Sequence, residues 1–297
     1  MAAVDYASQA RTEHGPAAPR RAPLASAVRG LFRIAWPITW PVRWYWSHSE
    51  RQFGKRLLVD RVLKNFLPSA PAEFEAELAG GGRVFLQHRD DIGLVVLLTG
   101  AFEPAETACA RELAVEGSVA IDVGANVGMF TVPLAMAVGT HGRVLAVEPS
   151  PDNVRRLVRN LQLNALDNVE VHAVALADEE GEVLLRLGAD PAFHSTATVV
   201  RARETFDSTL VRALTLDGVW QRAGEPQVSF LKVDTEGGEL DVLRGGGDLL
   251  RACRPSILIE AKGTERPRDL DACLVPLGYE RACRRGFAVG NYLYSSA

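Results

Sequence analysis

The 297 residues predict an α/β domain in which helices cover both faces of a mostly parallel sheet, preceded by an N-terminal extension. Three observations predict it. Short apolar runs alternate with helical patterns, as βαβ units require. The runs are almost continuously apolar, as strands are when both sides of their sheet are covered. One run passes directly into a glycine turn and then a helical pattern, the layout of the ligand-binding edge of an open parallel sheet.

The elements follow in chain order. Residues 1–28 are rich in Ala, Pro and Arg, lack periodicity and read as disordered. Residues 29–46 concentrate Leu31, Phe32, Ile34 and four of the five tryptophans, Trp36, Trp40, Trp44 and Trp46. A spanning helix needs about 20 uninterrupted apolar residues, and Arg33, Pro37, Pro41 and Arg43 interrupt this run. The segment therefore has two readings. Its indoles and arginines suit peripheral contact with an anionic membrane surface, or its aromatics pack onto the catalytic domain or a second subunit. The two prolines prevent a long amphipathic helix and favour packing.

Leu57, Leu58, Val62, Leu63 and Phe66 recur at helical spacing, which predicts a helix over 51–67 that Pro68 ends. Strands are expected at 83–87, 118–123, 143–148, 168–174, 228–233 and 255–260, and helices at 127–138, 151–164 and 236–250. The domain reading is a leader over 1–50, a helix-and-strand lead-in packing on the core over 51–110, and the ligand-binding domain over 111–297.

Charge is uneven. The net charge of −4 combines +7 over residues 1–66 with −11 over the remainder. An acidic body argues against a nucleic-acid partner, because phosphate contacts need a basic face. Cys109, Cys253, Cys273 and Cys283 show no C-x-x-C pairing, as expected of reduced thiols in a cytoplasmic protein. The six histidines have no ligand spacing, so no metal site is expected from them. Arginine outnumbers lysine 29 to 4, which suggests a GC-rich, bacterial genome.

The segment from Val119 to Thr131 reads VAIDVGANVGMFT. Gly124 permits a sharp turn after the strand, Asn126 lies within that turn, and Gly128 is expected to let the helix start approach a bound ligand. Twenty-six residues after Asp122 the next strand ends in Glu148, placed to accept both hydroxyls of a ribose. A dinucleotide calls for G-x-G-x-x-G so that backbone amides approach a pyrophosphate. Gly124-Ala-Asn-Val-Gly128 has neither that spacing nor the middle glycine, and Asp122 would repel a pyrophosphate. The pattern fits S-adenosyl-L-methionine, which brings an ammonium, a sulfonium and a ribose but no phosphate.

A second constellation is Phe230-Leu-Lys232-Val-Asp234-Thr-Glu236-Gly-Gly-Glu239, whose strand delivers Lys232 and Asp234 toward one face. Asp, Thr and Glu are also favoured in a first helical turn, the structural alternative for this run. Ser256–Glu260 ends the neighbouring strand in another acid, and His194 lies on a polar insertion.

Six ordered blocks resemble the FkbM-type methyltransferases: Gly100–Pro104, Asp122–Thr131, Glu148–Asn153, Ala175–Asp178, Lys232–Glu239 and Pro255–Glu260. The likeness covers about residues 83–262 and leaves the leader unexplained. It implies a Rossmann-like class I methyltransferase sheet and O-methylation of a sugar or natural-product hydroxyl, hence a small-molecule or glycan acceptor. It also implies that Asp122–Gly128 and Glu148 hold the cofactor, with Asp178 near the adenine and Asp234 and Glu236 at the reacting end. The Pro-Pro-aromatic motif of many amino-methylating enzymes is absent, with Asp234-Thr-Glu in its place, which favours oxygen as the acceptor atom.

An alcohol must lose its proton as it is methylated. Asp234 is the first candidate base and His194 the second; a metal held by Asp234 and Glu260 is the alternative route. Two other readings of the chain are a catalytically silent binding or scaffold protein of the same fold and a nicotinamide oxidoreductase, against which the turn spacing counts.

Overall fold

A computed structural model of the chain describes residues 73–88, 90–186, 198–200, 208–261, 267–282 and 286–296. The leader, the helix expected over 51–67 and His194 lie outside these residues. Strands β1 (Glu73–Glu77) and β2 (Arg83–Gln87) form an antiparallel hairpin, followed by helices α1 (Asp91–Thr99) and α2 (Pro104–Leu113). Then come β3 (Val119–Val123), α3 (Thr131–Val138), β4 (Arg143–Val147), α4 (Pro151–Leu163) and β5 (Val169–His172).

Four strands next form a smaller sheet: β6 (Ala175–Leu176), β7 (Gly181–Arg186), β8 (Thr198–Val200) and β9 (Ser208–Leu214), in the order β6-β9-β7-β8. The chain returns through α5 (Leu216–Arg222) and β10 (Val228–Val233) to α6 (Glu239–Arg244) and α7 (Gly247–Cys253). It then forms β11 (Ser256–Glu260), α8 (Pro267–Leu274), β12 (Tyr279–Ala282) and β13 (Asn291–Ser296).

The main sheet has the order β12-β13-β11-β10-β3-β4-β5. Strands β11, β10, β3, β4 and β5 run parallel, and β13 lies antiparallel between β11 and β12. From β3 the chain builds outward to β5, then crosses back to β10 on the other side of β3. That reversal creates a crevice at the carboxyl ends of β3 and β10, where open α/β sheets bind ligands. The expected Rossmann-like, mostly parallel sheet is present.

Alternation along the strands supplies both layers. Ile121, Val123, Leu145, Val147, Leu231, Val233, Ile257 and Ile259 pack on one face with Leu216, Val219, Leu249 and Leu270. Ala120, Val144, Ala146, Phe230 and Leu258 pack on the other with Phe130, Leu134, Val138 and Leu157. Asp122, Lys232 and Glu260 share the parity of this second face, and the β3–β10 register sets Lys232 directly beside Asp122. Helix α4 starts where the sequence demands: Pro151 takes the first turn, and the Ser150 hydroxyl accepts from the Asn153 N–H.

Three expectations are corrected. The strand at 83–87 joins β1 rather than the parallel sheet, because α4 occupies its edge: Asn164 accepts from Arg83 N at 2.8 Å, and Asn160 accepts from Phe85 N at 2.8 Å. The helix over 236–250 breaks into α6 and α7 at Gly245-Gly246, where a side chain on Gly245 would meet the Ala177 carbonyl at 2.3 Å. The helix expected from 127 begins at Thr131, with residues 124–130 forming the turn. The β12–β13 hairpin and the smaller sheet were not read from the sequence.

Candidate active site

A cavity of about 230 Å³ opens at the carboxyl ends of β3, β4 and β10. Its floor is the end of β3 and the following turn, Asp122–Asn126. Glu148 and Pro149 after β4 and Val174–Leu176 form one side, and Lys232 and Asp234–Glu236 form the other. Ile92 and Val95 of α1, with Phe102 and Glu103 before α2, close the outer wall.

Asp122 is fully buried; Thr131 donates its hydroxyl to Oδ2 at 2.6 Å. The other oxygen, Oδ1, has no hydrogen-bond partner among the described residues and lies 3.8 Å from Lys232 Nζ. Burial raises the Asp122 pKa, an effect that Lys232 and Thr131 oppose. Lys232 is buried beside it, with Nζ 3.4 Å from Asp234 Oδ2 and 4.8 Å from the Phe130 ring centre. Burial by itself lowers the Lys232 pKa, but the charges of Asp234 and Asp122, then Glu103 and Glu260, together raise it and hold the ammonium.

Gly124 has φ +77°, and a Cβ there would lie 1.8 Å from the Asp234 carbonyl oxygen. The glycine therefore lets the β10 exit cross the turn, rather than only letting the turn bend. Gly128, with φ +98°, does not line the cavity: a Cβ there would meet Leu157 Cδ1 at 2.9 Å. It permits close packing of the turn on α4.

Glu148 is buried, and its pKa is raised by that burial against three hydrogen bonds. Oε2 accepts from Asn126 N at 2.9 Å; Oε1 accepts from Ser150 N at 2.9 Å and Asn153 Nδ2 at 3.3 Å. A carboxylate offers about four acceptor sites, so about one remains for a ligand hydroxyl. The bond to Asn126 also holds that residue at φ +50° within the turn.

Asp234 and Glu236 line the cavity. With Glu260 they offer carboxylate oxygens that all lie within 4.8 Å of one another, a spacing a divalent cation can bridge. Asp178 follows β6 but does not line the cavity; Val174, Ala175 and Leu176 of that stretch do. Sequence reasoning missed Glu103, whose α2 entry has φ +41°, and the Asn153 and Asn160 anchors on α4. Asn160 Nδ2 donates to the Val127 carbonyl at 2.8 Å and so ties α4 to the glycine turn. Two asparagines seven residues apart on the apolar face of a helix were the available signal for the latter pair.

Among the described residues that line the cavity, Asp91, Glu103, Asp122, Glu148, Asp234 and Glu236 face one cation, Lys232. That balance suits a cationic ligand and repels a pyrophosphate.

A family model described as the methyltransferase FkbM domain matches residues 122–281. Methyltransferase 1 of Beauveria bassiana is 27% identical over 150 residues, 45% of this chain and 60% of its own length. The hexuronic acid methyltransferase AglP of Haloferax volcanii is 28% identical over 163 residues, 55% of this chain and 64% of its own length. Both matches thus span less than two thirds of the relative. Among solved structures, methyltransferase FkbM from Methylobacillus flagellatus KT superposes with a TM-score of 0.43 at 19% identity, covering 69% of this chain and 55% of that one.

Proposed function

The chain belongs to the FkbM methyltransferase family, and on that premise we propose that it O-methylates a hydroxyl of a sugar or natural product, with S-adenosyl-L-methionine as donor. The observation that carries this reading is the acidic cavity at the β3–β10 crevice, where Glu148 and the buried Asp122 flank the turn. The residues fit that donor. Asp122 Oδ1 needs a hydrogen-bond donor, the remaining acceptor site of Glu148 suits a ribose hydroxyl, and Val174–Leu176 offer an apolar wall. S-adenosylmethionine, when bound, supplies a methyl carbon already activated by its sulfonium.

The chain's own residues then have two tasks. The cavity walls hold the acceptor oxygen in line with the transferred carbon, since positioning dominates such displacements. Asp234 takes the hydroxyl proton as the new C–O bond forms, which typically adds a factor of about 10²–10⁴. The AglP name supports a glycan acceptor, and the acidic lining supports a partner other than nucleic acid. Transfer of labelled methyl from S-adenosylmethionine to metabolite extracts of the native cell tests the proposal. Binding of the donor without turnover on any extract would instead support the catalytically silent reading.

A further inference from the structure

We propose that Lys232 is the residue that binds the α-carboxylate of the methionine end of S-adenosylmethionine, beside the α-ammonium that the donor assignment already brings to Asp122. The inference rests on the donor assignment above and deepens it.

Two oppositely charged groups in the cavity each lack part of their hydrogen bonding. Both are more than nine-tenths buried. An ammonium has three N–H donors. Among the described residues Lys232 uses one in a hydrogen bond, the 3.4 Å bond to Asp234. Asp122 Oδ1 has none, and its 3.8 Å separation from Nζ is too long for the two to satisfy each other. Buried charges are normally hydrogen-bonded, and an exception in a cavity wall calls for a ligand. The β3–β10 register places the two side by side, so the ligand they match has a positive and a negative group on one carbon. An α-amino acid is such a zwitterion.

The charge of the cavity sharpens this assignment. Among the described lining residues Lys232 is the only cation, facing six carboxylates. A ligand carboxylate placed elsewhere against that wall would meet like charge. Phe130 under the ammonium and the surrounding acids keep Lys232 protonated and fixed in place. A plain counter-ion for Asp122 and Asp234 would need no spare donors and no place in the cavity wall.

The test pairs one ligand group with one side chain. S-adenosylmethionine and its decarboxylated form differ only at the α-carboxylate. Calorimetry should show wild-type protein binding the intact compound more tightly by about ten- to 150-fold, the range for a charge-assisted bond. Lys232→Met keeps the aliphatic stem and should erase that preference, lowering affinity for the intact compound while leaving the decarboxylated one unchanged or tighter. Lys232→Arg should restore part of it. An equal loss for both compounds in Lys232→Met would overturn the proposal and make Lys232 a structural counter-ion. So would wild-type protein that binds both compounds equally. If wild-type protein bound neither compound, the donor assignment itself would fall.

Discussion

Gly124 and Gly117 have nearly the same φ, +77° and +78°, but different surroundings. A Cβ at Gly117 meets nothing within 4 Å; at Gly124 it lies 1.8 Å from the Asp234 carbonyl oxygen. Replacing either with alanine forces an L-residue into the left-handed region, at a cost of about 1–2 kcal/mol. Gly117→Ala should show that cost alone. Gly124→Ala must also move the β10 exit by about 1.5 Å to reach an ordinary carbon–oxygen separation of about 3.3 Å, an overpacking cost of about 1–3 kcal/mol. The expected total is about 2–5 kcal/mol, and the displaced segment includes Asp234. Urea denaturation of both variants gives the difference, and calorimetry shows whether donor binding is lost in the Gly124 variant while it survives in the Gly117 variant. Equal destabilisation of the two would refute the claim that Gly124 exists for the crossing of β10.

Other outcomes follow from the same geometry. Glu148→Gln must turn its amide nitrogen toward the N–H of either Asn126 or Ser150, so donor affinity should fall about ten- to 150-fold with some loss of stability; unchanged affinity in a folded variant would remove Glu148 from the site. Burial holds Glu148 and Asp122 above the ordinary carboxylate values of 4.5 and 3.8, so donor affinity should weaken on acidification while the pH is still above 4.5. The stability of the unliganded protein should move oppositely: a folded-state pKa above the unfolded one adds stability as pH falls between the two. Asp234→Asn should preserve donor binding and lower turnover about 10²–10⁴-fold, and normal turnover would shift the role to His194 or to a metal that acidifies the hydroxyl, which a chelator then reveals. For the leader we propose packing: deletion of residues 1–48 should lower thermal stability or solubility. Salt-sensitive co-sedimentation of the full chain with anionic vesicles, lost on deletion, would favour the membrane account instead.

Much of the fold was legible because it rests on local patterns. The apolar runs at 118–123, 143–148, 168–174, 228–233 and 255–260 all became parallel strands of one sheet, since burial on both faces dictates their composition. The turn after β3 and the acid after β4 were legible as parts of one crevice, because a glycine between strand and helix and a carboxylate at a strand tip both belong to the carboxyl edge of a parallel sheet. The sequence by itself also determined the charge of the site, whose lining acids come from short, acid-bearing blocks.

What remained depends on which segments meet. The run at 83–87 is as apolar as the true sheet strands, and only the asparagines of α4 decide that it pairs elsewhere. No local pattern states that Gly124 faces Asp234 or Gly128 faces Leu157, partners 110 and 29 residues away. Lys232 was read only as a side chain on the same face as Asp234. Its position beside Asp122, with donors to spare, arises from the β3–β10 register, because pairing in a parallel sheet is set by the packing of both faces and not by either strand alone.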